Sequence, residues 1–254
     1  MRIHVVSDVH GNAEALKRSA DGADALICLG DLILFLDYSD HGQGIFADLF
    51  GQENTDHFIA LRTAKRFDEA RAFSREMWAS LDDAWAHVER AVQRQYAELF
   101  AALPTPAYLT YGNVDIPRMW AEHLRPGHHV LDGETTEIGG LRFGFAGGGL
   151  RTEYRTPHEL DDDVYAAKID ALGEVDVLCT HIPPEVPELL YDTVARRFER
   201  GSVAVRELIE RTQPRYALFG HVHQPLAART RIGRTECVNV GHFRARGVPF
   251  ALTV

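Results

Sequence analysis

Short apolar runs alternate with helical spacing at the start of the chain. Residues 3–7 read as a strand, 12–19 as a helix and 25–29 as a second strand. This β-α-β opening predicts a parallel sheet with covering helices. Strand-like runs return at 107–110, 130–131, 134–138, 141–146, 175–180, 216–219, 237–240 and 250–254, with helical spacing at 161–172 and 202–211. The expected class is therefore α/β or α+β.

The middle of the chain has another character. Residues 37–54 are rich in Gly, Asp and other polar residues and predict a loop with a short helix. Beyond them Ala60, Ala64, Phe67, Ala70, Phe73 and Met77 recur at three or four residues, as do Leu81, Trp85, Val88, Val92, Tyr96, Leu99 and Leu103. That spacing predicts a hairpin of two helices of about 20 residues each. Ser80 with Asp83 has the form of a capping box opening the second. The expected organisation is one domain over residues 1–254, split by a helical insertion at 37–103. The insertion could serve as cover, as a lid or as a homo-oligomer surface, with Phe73, Met77 and Trp78 packed inward or forming the interface.

Composition narrows the class. At roughly 100–200 residues per domain, 254 residues allow one large domain or two small ones. Hydrophobic residues are 45% and charged residues 25%, the balance of an ordinary globular chain rather than a disordered or collagenous one. No apolar run approaches the roughly 18 residues of a spanning helix, and Asp8 comes too early for a secretory leader. A net charge of −10 argues against long nucleic acid or a membrane surface as partner. A small anionic substrate remains compatible, because bound cations reverse the local sign. Three cysteines, an odd count, fit a reducing compartment, so a cytoplasmic location is expected. Cys28, Cys179 and Cys237 lie in strand-like runs and are expected to be small buried hydrophobes.

The candidate chemistry sits where the strands end. The first strand leads into Asp8-Val9-His10, the second into Gly30-Asp31, and the strand after the insertion into Gly112-Asn113-Val114-Asp115. The run at 175–180 leads into His181, and the run at 216–219 into Gly220-His221-Val222-His223. Any one of these is a weak signal, since an Asn after Gly is usually a turn residue. Together they are specific, because ligands in open α/β sheets collect at the carboxyl ends of strands. Four imidazoles, two carboxylates and one amide oxygen are too many donors for one tetrahedral ion and suit two ions sharing a carboxylate. Mixed N/O donors without thiolate favour Mn, Fe, Zn, Co or Ni over Ca or Mg. Two such ions about 3.5–4 Å apart form a hydrolytic clamp for phosphoryl groups.

In this order, Asp8-x-His10, Gly30-Asp31, Gly112-Asn113-x-Asp115, His181 and Gly220-His221-x-His223 resemble the calcineurin-like metallophosphoesterases. The resemblance implies two mixed β-sheets packed as a sandwich flanked by helices. It implies that Asp8, His10, Asp31 and His223 hold one divalent ion, Mn favoured, and that Asp31, Asn113, His181 and His221 hold the other, with Asp31 the bridge. The implied mechanism has a hydroxide held between the ions attack phosphorus in line, with Asp31 and Asn113 catalytic and Asp115 supporting a ligand or its loop. As an alternative, Asp115 is an N-cap before Ile116-Pro117.

The chain departs from the family at Val114, where an imidazole usually stands and assists the leaving group. Members lacking that imidazole tend to act on phosphodiesters, so a phosphodiesterase is expected ahead of a phosphomonoesterase or protein phosphatase. His41, His158 and His242 are candidate substitutes for the missing acid, His242 standing where Ser is commoner in the family. Arg151 and Arg155, beyond the Gly147-Gly148-Gly149 turn, are candidate contacts to substrate oxygens. A weakly catalytic metal-binding scaffold on the same fold is the competing reading. All seven donors are present, which speaks against it, while Val114 and the large insertion speak for it.

Overall fold

Two sheets are built from the runs read above, described by a computed structural model over residues 1–254. The chain opens with β1 (Arg2–Val6), α1 (Ala13–Leu16) and β2 (Ala25–Cys28), followed by the helices α2 (Ile45–Phe50), α3 (Gln52–Thr63), α4 (Phe67–Ala79) and α5 (Ala84–Ala102). It continues through β3 (Ala107–Leu109), β4 (His128–Val130), β5 (Glu134–Ile138), β6 (Leu141–Ala146), β7 (Gly149–Leu150), β8 (Glu159–Leu160) and α6 (Asp162–Ala171). Next come β9 (Val177–Thr180), α7 (Pro187–Leu190), β10 (Tyr191–Asp192), β11 (Arg197–Phe198) and α8 (Val203–Thr212). The end carries β12 (Tyr216–Phe219), β13 (Arg229–Ile232), β14 (Thr235–Asn239), α9 (Phe243–Arg246) and β15 (Phe250–Thr253).

The first sheet has the order β15-β1-β2-β3-β4, with β1 to β4 parallel and β15 an antiparallel edge. The second has the order β13-β14-β12-β9-β6-β5, with a parallel centre and antiparallel edges. The two-residue side-chain period of a strand explains how they stack. Ile3, Val5, Ile27 and Leu29 of the first sheet share one buried cluster with Phe143, Phe145, Val177, Cys179, Leu218 and Val238 of the second. The alternate positions Leu178, Ala217, Phe219 and Cys237 face the other way, into a cluster with Tyr165 and Ile169 of α6 and Val205, Leu208 and Ile209 of α8. Central strands buried on both faces read as continuous apolar runs. The sandwich of two mixed sheets with flanking helices is therefore present. All three cysteines are buried and free.

Contacts divide the chain into two compact units, one of Met1–Leu32 with Leu99–Val254, the other of Ile33–Glu98. Inside the second unit the predicted pair of long helices is corrected. The expected first helix is broken at Lys65, whose φ of +58° ends α3 and starts a reversal into α4. The apolar spacing runs through this break because α3 and α4 pack on each other, with the His57 and Phe73 rings 4.7 Å apart. The capping box is also corrected. Asp83 itself caps α5, accepting from the Ala86 amide at 3.0 Å, while the Ser80 hydroxyl donates to Met77 O at the end of α4. Trp78 packs edge-on against Phe50, and Phe46 stacks on Phe58, so the unit has an aromatic centre of its own. No helix is long and apolar enough to cross a membrane.

Candidate metal centre

The parallel strands β1, β2, β3, β9 and β12 all end at one rim of the sandwich, and each passes directly into donor residues. The turns there are tight. Asp8, His10, Asp31 and His221 have φ of +57°, +40°, +54° and +68°, a region that side chains other than glycine rarely enter. Backbone bonds hold the first two turns together, from Asp8 N to Gly30 O, His10 N to Asp31 O and Gly11 N to Leu32 O at 3.1, 2.9 and 2.8 Å. Asp115, fully buried, accepts from the amides of Asp31, Leu32 and Gly112 at 2.8, 3.0 and 2.8 Å. Its carboxylate thus ties the end of β2 to the end of β3. The short helix that follows begins after Ile116, so Asp115 is not its N-cap. Glycine is required beside two ligands for space alone. A Cβ at Gly112 would lie 1.9 Å from Asp31 Oδ1, and one at Gly220 would lie 1.9 Å from Ser7 Oγ and 2.4 Å from Asp8 Oδ2.

Seven side chains converge as a result, in two groups joined by Asp31. In one, His10 Nε2 stands 3.2 Å from His223 Nε2, 4.0 Å from Asp8 Oδ1 and 3.8 Å from Asp31 Oδ2, with His223 Nε2 3.6 Å from Asp8 Oδ1. In the other, His181 Nε2 is 3.0 Å from Asn113 Oδ1 and 3.5 Å from the same Asp31 Oδ2, and His221 Nδ1 is 2.9 Å from Asn113 Oδ1. The second oxygen of Asp31 accepts from the Val114 amide at 3.0 Å, so Oδ2 alone is turned to both groups. His181 Nδ1 donates to Leu29 O at 2.8 Å, which leaves the Nε2 lone pair of the neutral ring aimed at Asn113 and Asp31. Acceptors converging at these distances repel unless a proton or a cation stands among them. Between the Nε2 atoms of His10 and His223, the separation suits two ligands of one tetrahedral ion, for which bonds of about 2.0–2.1 Å give roughly 3.3 Å. The donor set fits two divalent ions.

Protons stand in for those ions in the electrostatics of the bare protein. Burial alone would raise Asp8, but His223, His181 and His10 hold it far below the ordinary carboxylate range. Asp31 is likewise opposed by burial, yet His181 and His10 bring it down to about 2. In return, and against their burial, His181 is lifted to about 9 by Asp31 and Asp8, and His223 is raised by Asp8. Burial and the neighbouring His181 push His221 down to about 4. Burial and the nearby Asp31 raise Asp115 to about 6. Ligation of a cation requires neutral imidazoles and displaces the proton on His181.

The other expected site residues are not among these seven donors. Arg151 is exposed and forked onto Asp161, and Arg155 is an exposed loop residue with φ of +50°. His41 pairs with Asp56 in the Ile33–Glu98 unit. His158 lies 3.8 Å from Asp132 and edge-on to Tyr111. His242 is different, since its ring stacks on His223 at 3.9 Å between centroids, and its Nε2 is buried without a hydrogen-bond partner. With His10 and His223 it forms a third imidazole at that side of the cluster. Supporting residues without a recognisable spacing escaped sequence reasoning. Arg244 donates to His10 O at 2.6 Å, Asn239 donates to Gly220 O and Val222 O, and Thr156 meets Asn113.

Comparison with known proteins identifies the family. The family model described as calcineurin-like phosphoesterase matches residues 1–225. No curated protein matches the chain. Among solved structures, the crystal structure of TT1561 of Thermus thermophilus is similar with a TM-score of 0.54 and 16% identity, covering 96% of this chain and 90% of that one. At that identity the likeness shows the fold alone. With most of its length matched by the family model, the chain belongs to the calcineurin-like phosphoesterases, metal-dependent hydrolases of phosphoric esters.

Proposed function

We propose that this chain is a dinuclear phosphodiesterase acting on small anionic esters. The observation that carries the reading is the sharing of Asp31 Oδ2 between two donor groups, Asp8, His10 and His223 on one side and Asn113, His181 and His221 on the other. Two divalent ions bound there supply Lewis-acid neutralisation of phosphoryl oxygens and water activated near neutral pH. Asp31 holds both positions, oriented by the Val114 amide on its other oxygen and by Asp115 through its backbone. Asn113 presents its oxygen between His181 and His221.

The diester preference rests on the family resemblance, in which members lacking an imidazole at the position of Val114 tend to act on phosphodiesters. This half-buried aliphatic side chain adjoins Asn113 and has no proton to give a departing alkoxide. General acid assistance contributes about 10²–10⁴-fold, so without it esters with acidic leaving groups are favoured over alkyl esters. The net charge of −10 and the lack of a free arginine fork at Arg151 favour a small substrate over long nucleic acid.

The test is hydrolysis by metal-depleted protein reconstituted with Mn. Bis(p-nitrophenyl) phosphate is expected to turn over faster than p-nitrophenyl phosphate, and Asp31→Ala is expected to abolish turnover while the circular dichroism spectrum is kept. Equal activity in that variant overturns the shared-ligand reading. A preference for the monoester overturns the diester assignment.

A further inference from the structure

Resting on that reading of the site, we propose that Thr156 and Glu159 set the direction of the Asn113 carboxamide and so make it a ligand for the ion of the buried half. The amide of an asparagine has two faces, one donating and one accepting, and only the oxygen can bind a cation. Which face meets the site is decided on its far side. There Asn113 Nδ2 lies 3.0 Å from Thr156 Oγ1. The same hydroxyl lies 2.9 Å from Glu159 Oε1. A carboxylate only accepts, so the single hydroxyl proton of Thr156 goes to Glu159. Its oxygen is then left as an acceptor, Asn113 answers with Nδ2–H, and Oδ1 is turned to His181 and His221 at 3.0 and 2.9 Å. The flipped amide would set two acceptors, Asn113 Oδ1 and Thr156 Oγ1, against each other.

Glu159 is itself fixed. The Thr152 amide and hydroxyl each reach its carboxylate at 2.7 Å, and it begins β8, which pairs with β7 beyond the Gly147-Gly148-Gly149 turn. From the same stretch His158 N donates to Asn113 O at 2.9 Å, so backbone and side chain of Asn113 are both held from residues 156–159. Thr156 and Glu159 act through Asn113 and are positioning residues. Loss of a contact that orients a ligand typically costs 10–100-fold in metal affinity.

The experiment is titration of the metal-depleted full-length protein with Mn(II), free ion being followed by electron paramagnetic resonance. Wild type is expected to take up two ions. Thr156→Val is expected to weaken one of them by roughly 10–100-fold and the other by less than about threefold, while Thr156→Ser restores both. Glu159→Gln, which keeps the threonine, is expected to weaken the same ion as Thr156→Val. Unchanged binding of both ions in Thr156→Val and Glu159→Gln overturns the inference. Equal losses in Thr156→Ser and Thr156→Val also overturn it, since packing rather than the hydroxyl would then be at work. Uptake of fewer than two ions by wild type overturns the dinuclear reading itself, a failure distinct from the first two.

Discussion

His181 lies wholly inside the protein, whereas His223 keeps 39% of its side chain exposed, although both reach out toward a carboxylate of the same cluster. The contrast extends to their surroundings. His181 is anchored by Leu29 O, Asn113 by Thr156, and the turn bearing Asn113 by Asp115. On the other side His10 is 12% exposed and His223 leans on the ring of His242. The ring of His181 is oriented by a hydrogen bond of the interior, and that of His223 by stacking on His242 at the rim. Orientation by several directional bonds restricts a ligand more than stacking does, so the two ions should differ in how firmly they are held.

Ligand removal breaks the comparison most sharply. His181→Ala is expected to cost the ion of the buried half more than the roughly 10–100-fold that a supporting contact costs, and to lower the melting temperature as well. His223→Ala is expected to cost the rim ion while leaving the melting temperature of the metal-depleted protein near that of wild type. Metal stoichiometry and thermal melts of both variants decide it, and equal melting temperatures would mean that burial does not distinguish the halves.

A smaller effect separates the halves by crowding. Gly220→Ala pushes a methyl into Ser7 and Asp8, and Gly112→Ala pushes one into Asp31. Each is expected to destabilise by about 3 kcal/mol, the upper end for overpacking. Gly220→Ala should lose the rim ion first, and Gly112→Ala both together, because Asp31 serves both. Denaturant melts with metal analysis would show it.

The smallest effect concerns the support of the Gly147-Gly148-Gly149 turn. Asp132 accepts from the Gly147 amide at 2.8 Å and from Lys168 Nζ at 2.8 and 2.9 Å, and that ammonium also reaches Gly147 O. Burial opposes ionisation of Asp132, but His158, Lys168 and the Gly147 amide hold its carboxyl below the ordinary value of 3.8. A folded value below the unfolded one stabilises the protein above pH 3.8, and this stability is lost as pH falls through the folded value. Asp132→Asn is expected to cost about 2 kcal/mol at neutral pH, less than the roughly 3–5 of a fully buried pair. The gap from wild type should close in melts below pH 3.8. A gap that stays constant with pH would assign the loss to packing.

Legibility in the sequence varied with how local each feature is. Strand positions were visible because buried parallel strands need unbroken apolar runs: β12 occupies the expected residues and β9 lies within its expected run. The edge strand β13 (Arg229–Ile232) was not, since its residues alternate exposed with half-buried and two are arginines. The helical insertion announced itself by spacing, but spacing does not register a reversal such as the one at Lys65, where the chain turns back with the pattern intact. At the centre, motifs of donor residues after apolar runs marked Asp8, His10, Asp31, Asn113, His181, His221 and His223 as a set.

What the sequence alone determined was this inventory of strands and donors, because side-chain type and the two-residue period are local properties of the chain. Only the tertiary structure decided which oxygen of Asp31 is turned to both groups, that Asp115 serves three amides, and that Thr156 and Glu159 stand behind Asn113. The physical reason is that hydrogen-bond direction depends on where distant residues meet, 43 positions apart for Asn113 and Thr156 and 83 for Asp31 and Val114, and no spacing along the chain carries that information.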